Sequence, residues 1–145
     1  MFVEVDMRSG ARRELVEDSI KFFIKELKLE RSRYNLSVIT EPGLRRAHDS
    51  NGLVFVVEEK EIAMILDSRL SLPELLATIS HEMVHVKQIA KGTLRTVLRR
   101  GQPAQTWLGR TYNVAYHLRP WELEAFRKER ELAHKYFYQL SRKCK

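Results

Sequence analysis

Cysteine is nearly absent from this chain of 145 residues: Cys144 is the only one, so no intramolecular disulfide can form and no chemistry is assigned to it. Proline and glycine are sparse, at four and six residues, and no repeat, low-complexity stretch or linker divides the sequence. No apolar run approaches the roughly 20 residues that a membrane span requires. The start, MFVEVDMRSG, lacks a charged segment followed by an apolar one, so no secretory signal is read there. These absences exclude a disulfide scaffold and a membrane partner, and the expectation is a cytoplasmic protein. With 43% hydrophobic and 31% charged residues, residues 1–145 fit one globular domain able to bury a sizeable core.

Acidic residues are missing from one long segment. Between Met83 and Trp121 there is no Asp or Glu, whereas Lys87, Lys91, Arg95, Arg99, Arg100, Arg110 and Arg119 all lie there. The remaining 19 of the 26 bases balance the 19 acids, so the net charge of +7 belongs to this segment. A solvated basic loop would account for it. So would a positive surface over 87–119 that attracts an acidic partner or a nucleic acid, although no nucleic-acid-binding signature accompanies it.

Hydrophobic periodicity supplies the elements. FVEVDM alternates as a short strand, and Val16, Ile20, Phe23, Ile24 and Leu27 recur at helical spacing after Ser9, the expected N-cap. YNLSVIT reads as a strand closed by Glu41-Pro42-Gly43, and LVFVV and IAMIL as adjacent strands joined by EEKE. Ser71 and Glu74 form a capping box opening a helix that runs to Gly92, with Leu75, Leu76, Ile79, Met83, Val86 and Ala90 on its core face. Thr78, His81, His85 and Gln88 lie on another side of it. Residues 93–115 predict a hairpin around Gly101-Gln102-Pro103, and a last helix runs from near Pro120 to about Leu140. The fold class is α+β, with helices packed on a small, mainly antiparallel sheet.

SHEMVHVKQ, Ser80 to Gln88, carries the chemistry. His81 and His85 are four residues apart and project from one helix face, where two imidazole nitrogens can reach one Zn²⁺. Glu82 beside them suits a general base that takes a proton from water and returns it to a leaving amine. A catalytic zinc takes a third protein ligand. In RPWELEAFRKE, Glu122 and Glu124 are candidates, about 200° apart around a helix, so they cannot both face the metal. Glu122 shares its side with Ala125, Phe126, Leu132 and Ala133 and is the expected ligand. Glu124 sides with Arg127, Lys128 and Glu131 on a solvated face and is the fallback.

HEMVH followed by PWELEA resembles the gluzincin type of zincin metallopeptidase. More narrowly, it is similar to small single-domain metallopeptidases of phage and bacterial genomes, and distantly to SprT-like proteins. The likeness covers most of residues 50–130, including the WLG element, and is weakest over 1–45. It implies a zincin-like fold with the HExxH motif on a central helix, Zn²⁺ held by His81, His85 and Glu122, and Glu82 as catalytic base. Two departures stand out. Thermolysin-type patterns place Asp or Asn four residues after the carboxylate ligand, where this chain has Phe126, so support for the histidines must come from elsewhere. There is also no room for a second lobe, so the groove would be shallow, lined by IAMIL as an edge strand that pairs with an extended peptide.

Among transition-state donors, Tyr112, Tyr116 and His117 precede the last helix, and Tyr116 is chosen for its place one turn before it. Trp107 and Trp121 read as core, His134 as structural, and His48-Asp49 as a polar loop. The leading function is a zinc-dependent endopeptidase acting on proteins or peptides. The alternatives are a metal-stabilised binding protein without turnover, which Glu82 argues against, and a nucleic-acid-associated protein using the basic segment.

Overall fold

In the computed structural model, which describes residues 1–143, two sheets and four α-helices form an α+β arrangement. Cys144 lies outside the described residues. Among those described, no helix is long and apolar enough to cross a membrane.

The main sheet has the order β1 (Phe2–Asp6), β2 (Asn35–Glu41), β4 (Glu61–Asp67), β3 (Gly52–Glu58). It is mixed, where a mainly antiparallel sheet was expected: β1–β2 and β2–β4 are parallel and only the β3–β4 hairpin is antiparallel. The reason is connectivity. Helix α1 (Ala11–Glu26) carries the chain back before β2 begins, and a parallel neighbour requires such a crossover. IAMIL is therefore not an edge strand. It lies in β4, between β2 and β3, and the edges are β1 and, nearer the His81 helix, β3, which contains LVFVV.

Register aligns Val5, Val38, Met64 and Val54 across the four strands, and Leu36, Ile62 and Leu66 lie on that same, helix-facing side. Helix α3 (Leu72–Ala90) packs on β3 and β4, with α1 and α4 (Pro120–Lys143) against its other sides. Enclosure on several sides explains why Leu75, Ile79, Met83, Val84 and Val86 are fully buried and why its polar residues His81, Glu82, His85 and Gln88 are buried as well. Ser71 caps α3 as expected, its hydroxyl accepting the Glu74 N–H at 3.3 Å, with Pro73 in the first turn. The Ser9 cap is not formed; Gly10 occupies the position before α1 and makes no side-chain cap bond. The Tyr136 hydroxyl of α4 donates to Asp18 of α1 at 2.6 Å, tying the two outer helices together.

Residues 94–111 form a separate antiparallel sheet: β5 (Leu94–Arg99), β6 (Gln102–Trp107) and the short β7 (Arg110–Thr111). Arg100 and Gly101, with φ of 53° and 78°, make the β5–β6 turn, so Pro103 sits inside β6 opposite Leu98. Positive φ at both turn residues matches the strand twist, and Gly supplies it without strain. The exposed part of the hairpin holds Arg99 and Arg100, while Leu94 and Thr106 anchor its base.

A short helix, α2 (Leu44–His48), was not read from the sequence. Asp67 accounts for its position: its carboxylate accepts the backbone N–H groups of Arg45 and Arg69, each at 2.8 Å. Those bonds hold the Asp67 carboxyl below the usual carboxylate range. They also pin the chain leading to residues 48–52, where β3 begins beside Glu82.

Gly52 is required by that approach. A Cβ there would lie 2.7 Å from Thr78 Cγ2 and 3.1 Å from Glu82 Cγ, and Thr78 is itself held by its hydroxyl bond to the Glu74 carbonyl. Gly52→Ala is expected to lower stability by about 1–3 kcal/mol through overpacking. Urea denaturation checks this, with Gly43→Ala, which meets no neighbouring atom but has a φ of 78°, as a comparison for backbone strain alone.

Candidate metal centre

One turn of α3 places the two imidazoles side by side, and the first turn of α4 brings a carboxylate to them. His81 Nε2 and His85 Nε2 each lie 3.0 Å from Glu122 Oε1, and the three residues are buried. Ligand atoms from His81, His85 and Glu122 all fall within 4.8 Å of one another. A tetrahedral site with bonds of about 2.0–2.1 Å needs ligand atoms about 3.3 Å apart, close to what this triad presents. Ala125, fully buried one turn along α4, is small enough for the helices to approach this closely.

The outer bonds decide the protonation pattern. His85 Nδ1 donates to Gln88 Oε1 at 2.8 Å, and the Gln88 amide is oriented by its Nε2, which donates to the Trp121 carbonyl at 3.0 Å and to Glu124 Oε1 at 3.1 Å. His81 Nδ1 lies 3.2 Å from Glu129 Oε2, which can only accept when ionised. Both Nδ1 atoms therefore carry hydrogen. Each Nε2 is left to direct either a lone pair or a second proton at the Glu122 oxygen. Three acceptor atoms cannot stand together uncompensated, so the site requires a metal cation or protons.

The metal-free electrostatics show the second solution. Burial pulls the His81 pKa down, but bonds to Glu122 and Glu129 and the Glu82 charge reverse this and raise it to about 9. His85 is raised by the same balance, burial opposing and Glu122 and Glu82 prevailing. Burial alone would raise Glu122; its bonds to His81 and His85 and their charges instead lower it to about 2. For Glu82 burial wins over the attraction of His85 and His81, and its carboxyl is raised.

Sequence reasoning missed the supporting residues. Glu129, two turns after Glu122, does what was sought one turn earlier, while Phe126 packs edge-on to the His81 ring at 4.7 Å between centroids. Glu124 is not on a solvated face: half-buried, it bonds Gln88, outside the triad. Helical spacing was the available signal, since Gln88 shares the face of His81 and His85. The Tyr116 hydroxyl donates to Glu122 Oε1 at 3.1 Å from a 3₁₀ turn, Tyr116–Leu118. Tyr112 packs edge-on to Trp121 instead, and His117 and His134 are exposed. Trp121 is buried and Trp107 half-buried.

Two clefts meet at the triad. One, of about 820 Å³, runs past His81, Glu82 and Glu129 to His48 and Asp49, which thus stand at its rim. The other, of about 870 Å³, runs from His85 and Glu122 between the β3 edge and the β5–β6 hairpin. No protein-family model, curated protein or solved structure matches the chain.

The raised imidazole pKa values give the metal-free protein a pH signature. A folded pKa of about 9 against an ordinary 6.5 contributes stability that is complete below 6.5 and lost as pH rises through 9. Thermal unfolding of chelator-treated protein is therefore expected to show Tm falling from pH 6.5 to pH 9. In Glu122→Gln, which removes the carboxylate that holds the imidazolium protons, the fall should be shallower.

Proposed function

We infer that the chain is a zinc-dependent metallopeptidase of the zincin type, hydrolysing peptide bonds. The observation that carries this reading is the convergence of two Nε2 atoms and one carboxylate oxygen, with both Nδ1 atoms committed to outer acceptors. Two imidazoles and a carboxylate suit zinc better than calcium or magnesium, which take oxygen ligands. Three protein ligands leave a position open, which favours a catalytic over a purely structural centre. His81, His85 and Glu122 would hold the metal, which when bound supplies Lewis acidity, acidifying a water molecule and polarising the scissile carbonyl.

The chain's own groups supply the rest. Glu82 is buried beside the triad with its carboxyl pKa raised, and no hydrogen bond within the described residues occupies it. It accepts a proton from the attacking water and delivers it to the leaving amine. Burial, with the Glu122 charge and hydrogen bond, raises the Tyr116 pKa and keeps its phenol protonated, so on leaving Glu122 its one O–H can donate to the oxygen on which negative charge develops. The β3 edge offers unpaired backbone groups to an extended peptide running across both clefts.

Elemental analysis after dialysis tests the metal assignment. One zinc per chain is expected in the wild type and in Glu124→Ala, and none in Glu122→Ala. Glu82→Gln is expected to keep its zinc while hydrolysis of an unfolded protein substrate falls by about 10²-fold or more. Full activity in a zinc-loaded Glu82→Gln preparation would remove Glu82 as the base.

A further inference from the structure

The cleft between the β3 edge and the hairpin gathers four cations, Lys60, Lys91, Arg95 and Arg119, around a single carboxylate. Three cations elsewhere pair with carboxylates: Arg13 with Glu17, Arg45 with Glu74, and Lys135 with Glu26 and Glu131. Lys60, Lys91, Arg95 and Arg119 all line this cleft, and none makes a carboxylate ion pair among the described residues. Neutral groups orient them instead. The Lys60 ammonium stands 4.5 Å from the Tyr34 ring centre, and the Arg119 guanidinium 5.7 Å from that of Tyr116. Lys91 Nζ donates to the Lys28 carbonyl at 3.2 Å, and Arg95 Nε to the Gly92 carbonyl at 3.1 Å. Aromatic faces and carbonyls fix position without cancelling charge.

Glu122, at the metal end, is the only acidic residue lining this cleft, whereas the cleft on the other side of the triad holds Asp49, Glu82, Glu122 and Glu129. The groove is thus electrically asymmetric about the metal centre. Its wall on the basic side is the open edge of β3, with Val54, Phe55 and Val56. An open strand edge recognises extended polypeptide backbone, which a nucleic acid cannot provide.

The geometry points to an acidic-peptide subsite: the cleft formed by the β3 edge, Lys60, Lys91, Arg95 and Arg119 binds an extended segment carrying Asp or Glu side chains beside the metal centre. It rests on the peptidase reading for what happens next to it, but the recognition itself needs neither metal nor turnover. Strand pairing supplies affinity, and the uncompensated cations select acidic over basic side chains.

Binding to the Glu82→Gln chain tests this, with and without zinc, by fluorescence anisotropy. The probes are two labelled peptides of matched length, one bearing glutamates where the other bears lysines. The glutamate peptide is expected to bind at least about tenfold more tightly at low salt, and the preference to vanish in Lys91→Glu/Arg95→Glu. The neutral Lys91→Gln and Arg95→Gln variants, checked for unchanged Tm, should each reduce it in part, which keeps the test intact if the double reversal fails to fold. Equal affinity for the two peptides, or a preference untouched by these substitutions, overturns the subsite. So does displacement of the glutamate peptide by a single-stranded oligonucleotide at lower concentration than by unlabelled peptide, which would assign the cleft to phosphate backbones. Failure of the peptidase reading has a different signature: no bound zinc and no hydrolysis in the wild-type chain, with the peptide preference of Glu82→Gln unchanged.

Discussion

Three acceptor atoms brought to one point, on side chains that are largely buried, are mutually repulsive unless a positive charge stands among them. That constraint organises this protein. The histidine nitrogens cannot turn away, because their other ring nitrogens are bonded to Gln88 and Glu129. The Glu122 carboxylate is presented by the first turn of α4, which the fully buried Ala125 lets lie close to α3. Protons satisfy the centre when no metal does, and the displaced pKa values of His81 and Glu122 record how strongly they are drawn in. Helices, caps and core are arranged so that this polar point lies where two clefts meet the edge of the apolar interior.

Much of the fold was legible because helices announce themselves locally. The spacing of Val16, Ile20 and Phe23, the Ser71 cap and the Gly92 stop place α1 and α3 without reference to the rest of the chain. Strand partnership carries no such local mark. LVFVV and IAMIL are equally apolar, yet β4 is interior and β3 outermost, because β2, distant in sequence, takes the place beside β4. Nothing in either pentapeptide encodes that. The short helix α2 was missed for a related reason: it is held by Asp67, far along the chain, rather than by its own composition.

The site divides the same way. His81, His85 and Glu122 were readable because a helix converts spacing into direction, and the structure brings these three together. Their supports were harder. Glu129 serves His81 from two turns beyond Glu122, and a search confined to one turn passes over it. Glu124 was set on the wet side by its charged neighbours, although one buried amide from α3 was enough to bring it inward. The segregated basic charge was visible from composition alone. That three of its members, Lys91, Arg95 and Arg119, border a cleft together with Lys60 and without carboxylate ion pairs among the described residues required three dimensions.

Gln88 joins parts of the molecule that its modest role as a histidine support conceals. Its side chain bonds the imidazole of one helix and both a main-chain carbonyl and a side chain in the first turn of the other. Any slippage of α4 along α3 must therefore rotate the His85 ring, and any rotation of that ring must strain the start of α4. The ligand geometry is in this sense a gauge of interhelical alignment. A partner or ligand that leaned on α4, even at its far end, would register as a change in how His81, His85 and Glu122 face one another, with no contact to them at all.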